Sequence, residues 1–288
     1  MNGEREPAVY TIGRAGSPAQ VEAVHVAWAA DEGWNPGLHD AAAFFETDRE
    51  GWFLGTLAGR PVAAGSAVRY GEAFAFMGFY IVEPAHRGRG FGLELTHARL
   101  EHLGDRITGA DGVVEYLEIY RRIGLELAWL TARRALEDPA AVEPSRLTVS
   151  LDAVSTDALV DYDLAGAFPA DRRTFLEAWR AMPEAVGRAV VEGEELRGWG
   201  LRRRCRVGWK VGPLFADGPE IADALLRDIV SGADGRVTID VPGVNPDAVR
   251  LADRLGLPTV FETGRVYRNG VPAIDASRQY GITSLELG

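Results

Sequence analysis

The chain has one cysteine, Cys205, in 288 residues, which excludes an intramolecular disulfide framework and any cysteine-rich zinc or iron–sulfur site. Lysine is as scarce: of 31 basic residues only Lys210 is a lysine. Arginine pairs better with phosphates and carboxylates, but a bias spread over the whole chain reads as genome composition and implies no ligand. Positive charge is in deficit overall. The net charge of −11 and pI of about 5.0 argue against nucleic acid or an anionic membrane as the main partner and suit a cationic small ligand better. No run approaches the roughly 18 apolar residues of a membrane span; the longest, Ala73 to Val82, is strand-sized. The opening MNGEREPAVY is charged and lacks an apolar h-region, so a soluble cytoplasmic protein is expected. The five histidines (His25, His39, His86, His97 and His102) show no zinc spacing. No Gly-x-Ser-x-Gly elbow occurs, and no metal site is expected.

What is present is ample apolar material, 47% of residues, enough for one large domain or two modest ones. Val9 to Arg14 reads as a strand. Ser17, Pro18 and Gln20 form a capping-box pattern, followed by Val21, Val24, His25 and Trp28 at helical spacing. A second helix is expected over Asp40–Glu50. Trp52–Leu57, Pro61–Arg69 and Ala73–Val82 read as an antiparallel meander, ended by Pro84. A Gly-rich turn then opens a helix over Phe91–Leu103. The proline-bearing stretch Leu136–Leu147 has no periodicity and reads as a linker. It divides the chain into expected domains 1–138 and 145–288. Beyond it, strand-like Leu147–Leu151, helices from Ser155 and around Arg172–Ala181, three strand-like stretches and a helix over Pro219–Val230 repeat the earlier order. Ile107–Leu125 can be laid on Ile239–Leu257 without a gap, each reading strand, turn, amphipathic helix and Gly-Leu. Two copies of one α/β domain are expected.

The sharpest local signal is IVEPAHRGRGFGL, Ile81 to Leu93. A strand ends, Gly88, Gly90 and Gly92 follow, and a helix begins at once. Successive glycines let backbone N–H groups converge at a helix N-terminus, where the dipole favours anions, and Arg87 and Arg89 add positive charge. This is a pyrophosphate cradle. No Gly-Lys-Ser/Thr follows, and the residue three after Gly90 is Leu93, so neither the Walker A loop nor G-x-G-x-x-G fits.

Arg87-x-x-Gly90-x-Gly92 instead resembles the R/Q-x-x-G-x-G/A loop of the GNAT superfamily of acyl-CoA N-acyltransferases, and the element order of residues 8–137 follows that family. The resemblance implies that Arg87, Gly88, Arg89, Gly90, Phe91 and Gly92 hold the pyrophosphate of acetyl-CoA. It further implies that Ile81 and Val82 offer main-chain contacts to the pantetheine arm and thioester, and that Tyr120 protonates the departing thiolate. Many family members keep a carboxylate on the fourth strand as general base. Here that strand reads AFAFMGFYIV and has none, so no residue is assigned. The loop from Ala29 to Gly37 overhangs the acceptor site in the family. Its EGWNPG string resembles a subgroup of tandem GNAT proteins with a divergent C-terminal acetyltransferase-like domain. Asp31, Glu32, Trp34 and Asn35 are therefore candidate acceptor contacts, two acids beside an aromatic surface being suited to a cationic amine; Asn-Pro-Gly is equally good turn chemistry.

The second half resembles the same subgroup at VGPLFAD, at DVPGVN and at the ending YGITSLELG. It departs from the cradle pattern, with Asp217 and Pro219 in the loop and Ala252 where the repeat places Tyr120. A scaffold, or one wall of the acceptor cleft, is expected there. Asn245 reads as an N-cap and Cys205 as a core thiol. The expectation is thus a tandem α/β protein, each half a mixed, mostly antiparallel sheet flanked by helices. It would act as an acetyl-CoA-dependent N-acetyltransferase on a small-molecule amine, as a monomer or homodimer. The alternatives are a non-catalytic acyl-CoA-binding or regulatory protein and, less favoured by loop spacing, a nucleotide-binding one.

Overall fold

The computed structural model describes residues 9–288. Among the described residues thirteen strands form one sheet. β1 (Tyr10–Arg14), β2 (Trp52–Leu57), β3 (Arg60–Tyr70) and β4 (Phe74–Val82) make the expected antiparallel meander, and β5 (Ile107–Val113) joins β4 in parallel. The second half repeats this with β7 (Val149–Ser150), β8 (Val186–Glu192), β9 (Glu195–Arg204), β10 (Trp209–Ala216) and a parallel β11 (Val237–Pro242). The strand after the last helix of each half, β6 (Glu126–Leu136) and β12 (Thr259–Arg268), is exchanged. β12 lies between β5 and β6, and β6 lies between β12 and β11, all antiparallel. The two meanders therefore meet in one continuous sheet. The ungapped register that lays Ile107 on Ile239 also lays Thr131 on Thr263 and Arg133 on Arg265. Thr131 and Thr263 face each other across the β6–β12 pair, so the two halves meet there in near-twofold symmetry.

The helices form where local signals ask for them. In α1 (residues 18–31, with a π turn over Glu22–Val26), Ser17 caps the Gln20 amide with Pro18 at the first position. α2 (Asp40–Thr47) follows on the same face of the sheet. α3 (Phe91–Leu103) and α4 (Leu117–Arg122) cover the opposite, outer face of the first half. In the second half α5 (Thr156–Tyr162) and α6 (Arg173–Arg180) lie on the inner face, and α7 (Pro219–Val230) and α8 (Pro246–Arg254) on the outer. The inner core is common to both halves: Phe44 of α2 stacks on Trp179 of α6 at 5.7 Å, and Phe168 meets Tyr70 and Phe74 edge-on. No helix is long and apolar enough among the described residues to cross a membrane.

Candidate active site

β4 and β5 pair only from Phe74–Ile107 to Met77–Ala110. Beyond that pair β4 continues to Val82 and β5 to Val113, so the strands diverge and open a cleft through the sheet. At its apex β4 is bulged. Ser66 faces Gly78 but Ala64 faces Ile81, and Phe79 takes a φ of +50°. A bulge takes the following peptide planes out of the regular ladder, and a non-glycine residue there stores about 1–3 kcal/mol of strain. Two contacts hold it. The Phe79 ring is buried against His25, Phe44 and Trp52. From the outer face, buried Arg99 of α3 donates through Nε to the Ser66 carbonyl at 2.9 Å and through Nη2 to the Gly78 carbonyl at 3.0 Å. Ile81 and Val82 follow directly after the bulge.

The glycine loop stands at the mouth of this cleft. Gly90 is the N-cap of α3 with φ +89° and no side-chain cap; a Cβ there would meet open space, whereas one at Gly92 would collide with Tyr80. The amides of Gly88, Arg89, Gly90, Phe91 and Gly92 donate to no acceptor among the described residues. Five free donors at the start of a thirteen-residue helix suit an anion such as a pyrophosphate. Arg89 lies over the Phe91 ring, which stacks on Tyr10 at 4.4 Å. Arg87 is turned back toward the cleft: Nε donates to the Val82 carbonyl at 2.9 Å and Nη2 to Glu32 at 2.6 Å.

Tyr120, on α4, packs its ring over Gly112 of β5, where any side chain would collide with it. It therefore closes the cleft from the outer face, near Tyr80 and Arg99. Burial raises its pKa, with Arg99 opposing, so the phenol holds its proton at neutral pH.

The acceptor-loop residues are dispersed. Asp31 and Glu32 are exposed at the end of α1, and Glu32 is spent on Arg87. Asn35, at φ +52°, exchanges both side-chain hydrogen bonds with the backbone of Val207, at 2.9 and 2.8 Å. Leu38 and Arg206 add backbone bonds to Arg204 and Pro36, so this loop is clasped onto the β9–β10 turn. Trp34 presents its carbonyl to Arg133 at 3.0 Å and to Lys210 at 3.5 Å. Cys205 is buried, and burial pushes its thiol up.

The equivalent cleft of the second half is closed. β10 and β11 pair over Trp209–Val211 and Val237–Ile239 and then diverge. The space between them holds β13 (Gln279–Gly281), which pairs antiparallel with β10, and the Ile282 amide donates to the Asp240 carbonyl of β11 at 3.0 Å. At the corresponding loop the Asp217 carboxylate accepts from Tyr162 at 2.9 Å and Arg278 Nε at 3.0 Å, and pairs with Arg197 at 3.2 Å. Sequence reasoning found Asp217 and the ending YGITSLELG but neither the plug nor Arg99. An arginine on the buried stripe of a helix, with no acid at helical spacing facing it, was the available signal for Arg99.

The same two-part layout recurs in known proteins. Residues 21–122 match the model of the acetyltransferase (GNAT) family, and residues 159–281 match that of an acetyltransferase (GNAT) domain. A holothin acyltransferase of Pseudoalteromonas sp. (strain SANK 73390) is 31% identical over 279 residues, covering 94% of this chain and 93% of its own. Among solved structures, a protein of Pyrococcus horikoshii described as a candidate acetyltransferase superposes with a TM-score of 0.83 at 22% identity, covering all of both chains. A tandem GNAT protein from the clavulanic acid biosynthesis pathway superposes at 0.63 and 13%, covering 96% of this chain and 100% of its own. The cleft with its glycine loop and the full-length likeness agree: the chain is an acyltransferase of the GNAT family, with two GNAT domains in tandem.

Proposed function

We propose that the first half, within residues 1–138, binds acetyl-CoA or a related acyl-CoA and transfers the acyl group to the amine of a small molecule, while residues 145–288 act as scaffold and acceptor wall. The observation that carries this is the asymmetry of the two clefts: one is open, with five free amides at its mouth and a protonated tyrosine at its side, and its counterpart is filled by the chain's own β13. The free amides of residues 88–92, with Arg89 beside them, bind the pyrophosphate. Main-chain donors at Ile81 and Val82 polarise the acyl carbonyl as negative charge develops on it. Acyl-CoA supplies the activated acyl group, and Tyr120 donates its proton to the departing sulfur. The relative's name, an acyltransferase of holothin, supports a small-molecule acceptor.

Calorimetric titration with acetyl-CoA, run beside turnover, tests this. One site per chain is expected. Tyr120→Phe should lower kcat by about 10²–10⁴-fold while leaving acetyl-CoA affinity within about twofold. Two sites, no site, or a variant that turns over normally would overturn it.

A further inference from the structure

The transfer proposed above needs a group to accept the proton that the attacking nitrogen sheds, and β4, FAFMGFYIV, carries no carboxylate. The structure brings one from the other end of the chain. Having filled the second cleft, the segment after β13 runs along the inner face to the first. Its main chain lies on two glycines in turn. A side chain at Gly212 of β10 would collide with the Thr283 carbonyl, and one at Gly78 of β4 with the Glu286 carbonyl. The Glu286 Cα stands only 3.0 Å from where a Cβ of residue 78 would be. The segment is fixed there: Tyr70 donates to the Leu287 carbonyl at 2.9 Å, and the Leu287 amide donates to Ser284 Oγ at 3.0 Å.

Gly78 is the first residue of β4 beyond the last paired position, so Glu286 arrives at the apex of the open cleft. It comes from the inner face, while Tyr120 covers Gly112 from the outer face. Tyr120 and the Glu286 main chain thus flank one opening from opposite sides, and a reaction in which sulfur leaves on one side and nitrogen arrives on the other requires groups so placed.

The Glu286 residue is 4% exposed, and its Oε2 is buried with no hydrogen-bond partner among the described residues. An unpartnered buried carboxylate oxygen is costly and calls for an explanation. The charged groups that act on it are Asp111 of β5, Arg133 of β6, Arg203 of β9 and Lys210 of β10. Both arginines already hold a carboxylate, Arg133 that of Asp240 at 2.7 and 2.9 Å and Arg203 that of Asp40 at 2.8 and 3.3 Å, and the buried Arg203 Nη1, like Glu286 Oε2, has no partner among the described residues. Asp111 is likewise held by Arg265 at 2.9 and 2.6 Å. Positive charge therefore surrounds Glu286 without capping its oxygen. A purely structural counter-ion would be in contact with one of these cations. The Thr131 and Thr263 hydroxyls, on the strand face that carries Arg133 and Arg265, are also buried without partners. Two hydroxyls and a carboxylate oxygen thus lie buried and unpartnered behind the inner side of the cleft.

Resting on the acyltransferase reading, we propose that Glu286 is the general base for the acceptor amine. The nitrogen forms its bond to the acyl carbon as the carbon–sulfur bond breaks. The nitrogen's proton passes to Glu286 Oε2 and the sulfur takes one from Tyr120; exchange with solvent resets both side chains.

The test follows thiol release from acetyl-CoA by the full chain, with aniline, benzylamine, spermidine and an aminoglycoside as acceptors. A water-only arm is included, because the same carboxylate would deprotonate attacking water. Glu286→Gln should lower the rate by about 10²–10⁴-fold and abolish the acid limb of kcat/KM against pH, with acetyl-CoA affinity by calorimetry within about twofold of wild type. Glu286→Ala should be partly rescued by formate. If Glu286→Gln binds acetyl-CoA and keeps the wild-type rate and pH profile, the assignment fails and the acyltransferase reading stands. If wild type releases no thiol in any arm, that reading fails and the base with it. Should Glu286→Gln lose acetyl-CoA affinity, Glu286→Asp decides: an acid limb kept at reduced rate supports the base, and an unchanged rate overturns it.

Discussion

His25 shows how a single side chain ties the candidate site to solution conditions. It is fully buried in α1, with Nε2 3.1 Å from the Phe53 carbonyl and its ring edge-on to Trp52 and to Phe79, the strained residue of the bulge. Burial pushes its pKa down to about 4, against backbone hydrogen bonds that act the other way. Between the ordinary histidine value of about 6.5 and that point, the unfolded chain binds a proton here that the folded chain refuses. Stability from this group is therefore intact above about pH 6.5 and falls as pH drops toward 4, by an amount on the order of 1–3 kcal/mol. Urea unfolding at pH 7 and pH 4.5 checks this: His25→Gln should lose distinctly less stability over that interval than wild type. Equal losses would show that His25 is not the sensor. At this scale the sequence was half legible. The glycine loop and Tyr120 lie in contiguous motifs whose chemistry is local. The shortage of lysine reads as genome composition, yet the fold buries Lys210 to 1% exposure between the halves, where burial and then Arg133 lower its pKa. Nothing local to Glu286 marks it, because its surroundings come from β4, β5, β6, β9 and β10.

Among the elements, β2, α3 and α7 run over Trp52–Leu57, Phe91–Leu103 and Pro219–Val230, as their sequences require. The first is a short run dominated by apolar residues, and the helices open on a glycine cap or a first-position proline. The bulge in β4 was not readable, since AFAFMGFYIV has an ordinary strand composition and the distortion is imposed by partners on other elements. Arg99 is the main one. It is completely buried and paired with no carboxylate, and burial lowers its pKa to about 10. Removing its charge while keeping its length leaves the Ser66 and Gly78 carbonyls without their donors. Arg99→Met should therefore cost about 2–4 kcal/mol in urea unfolding and lower kcat/KM at least about tenfold as the bulge relaxes. Native stability with full activity would show that aromatic packing around Phe79 holds the bulge unaided.

The whole molecule turns on the strand exchange. The prolines at 139 and 144 mark a linker, and the sheet runs across the halves on either side of it. Without the second half, β5 and β6 would lose β12 from between them, and β6 would lose β11 as well. Three buried ion pairs join the halves: Asp40 with Arg203, Asp111 with Arg265, and Arg133 with Asp240. For Asp240, burial raises the carboxyl, and Arg133 together with Lys210 and Arg203 outweighs it, leaving the pKa lowered. Breaking such a pair by removing one partner typically costs about 3–5 kcal/mol, and three together rival the roughly 5–15 kcal/mol that holds a typical domain folded. Fragments 1–138 and 145–288, expressed separately, should each lack a cooperative unfolding transition and aggregate through their unpaired strands. Co-expressed, they should associate and recover acetyl-CoA binding, because the linker itself contributes no strand to the exchange. The full chain should unfold in urea in one step, seen alike by tryptophan fluorescence and circular dichroism. A fragment 1–138 that unfolds cooperatively and binds acetyl-CoA alone would refute this coupling. It would also remove the reason for β13 and Glu286 to reside in the other half: if the catalytic half needs its partner to fold, a segment of that partner can close one cleft and furnish the other without risk of dissociation.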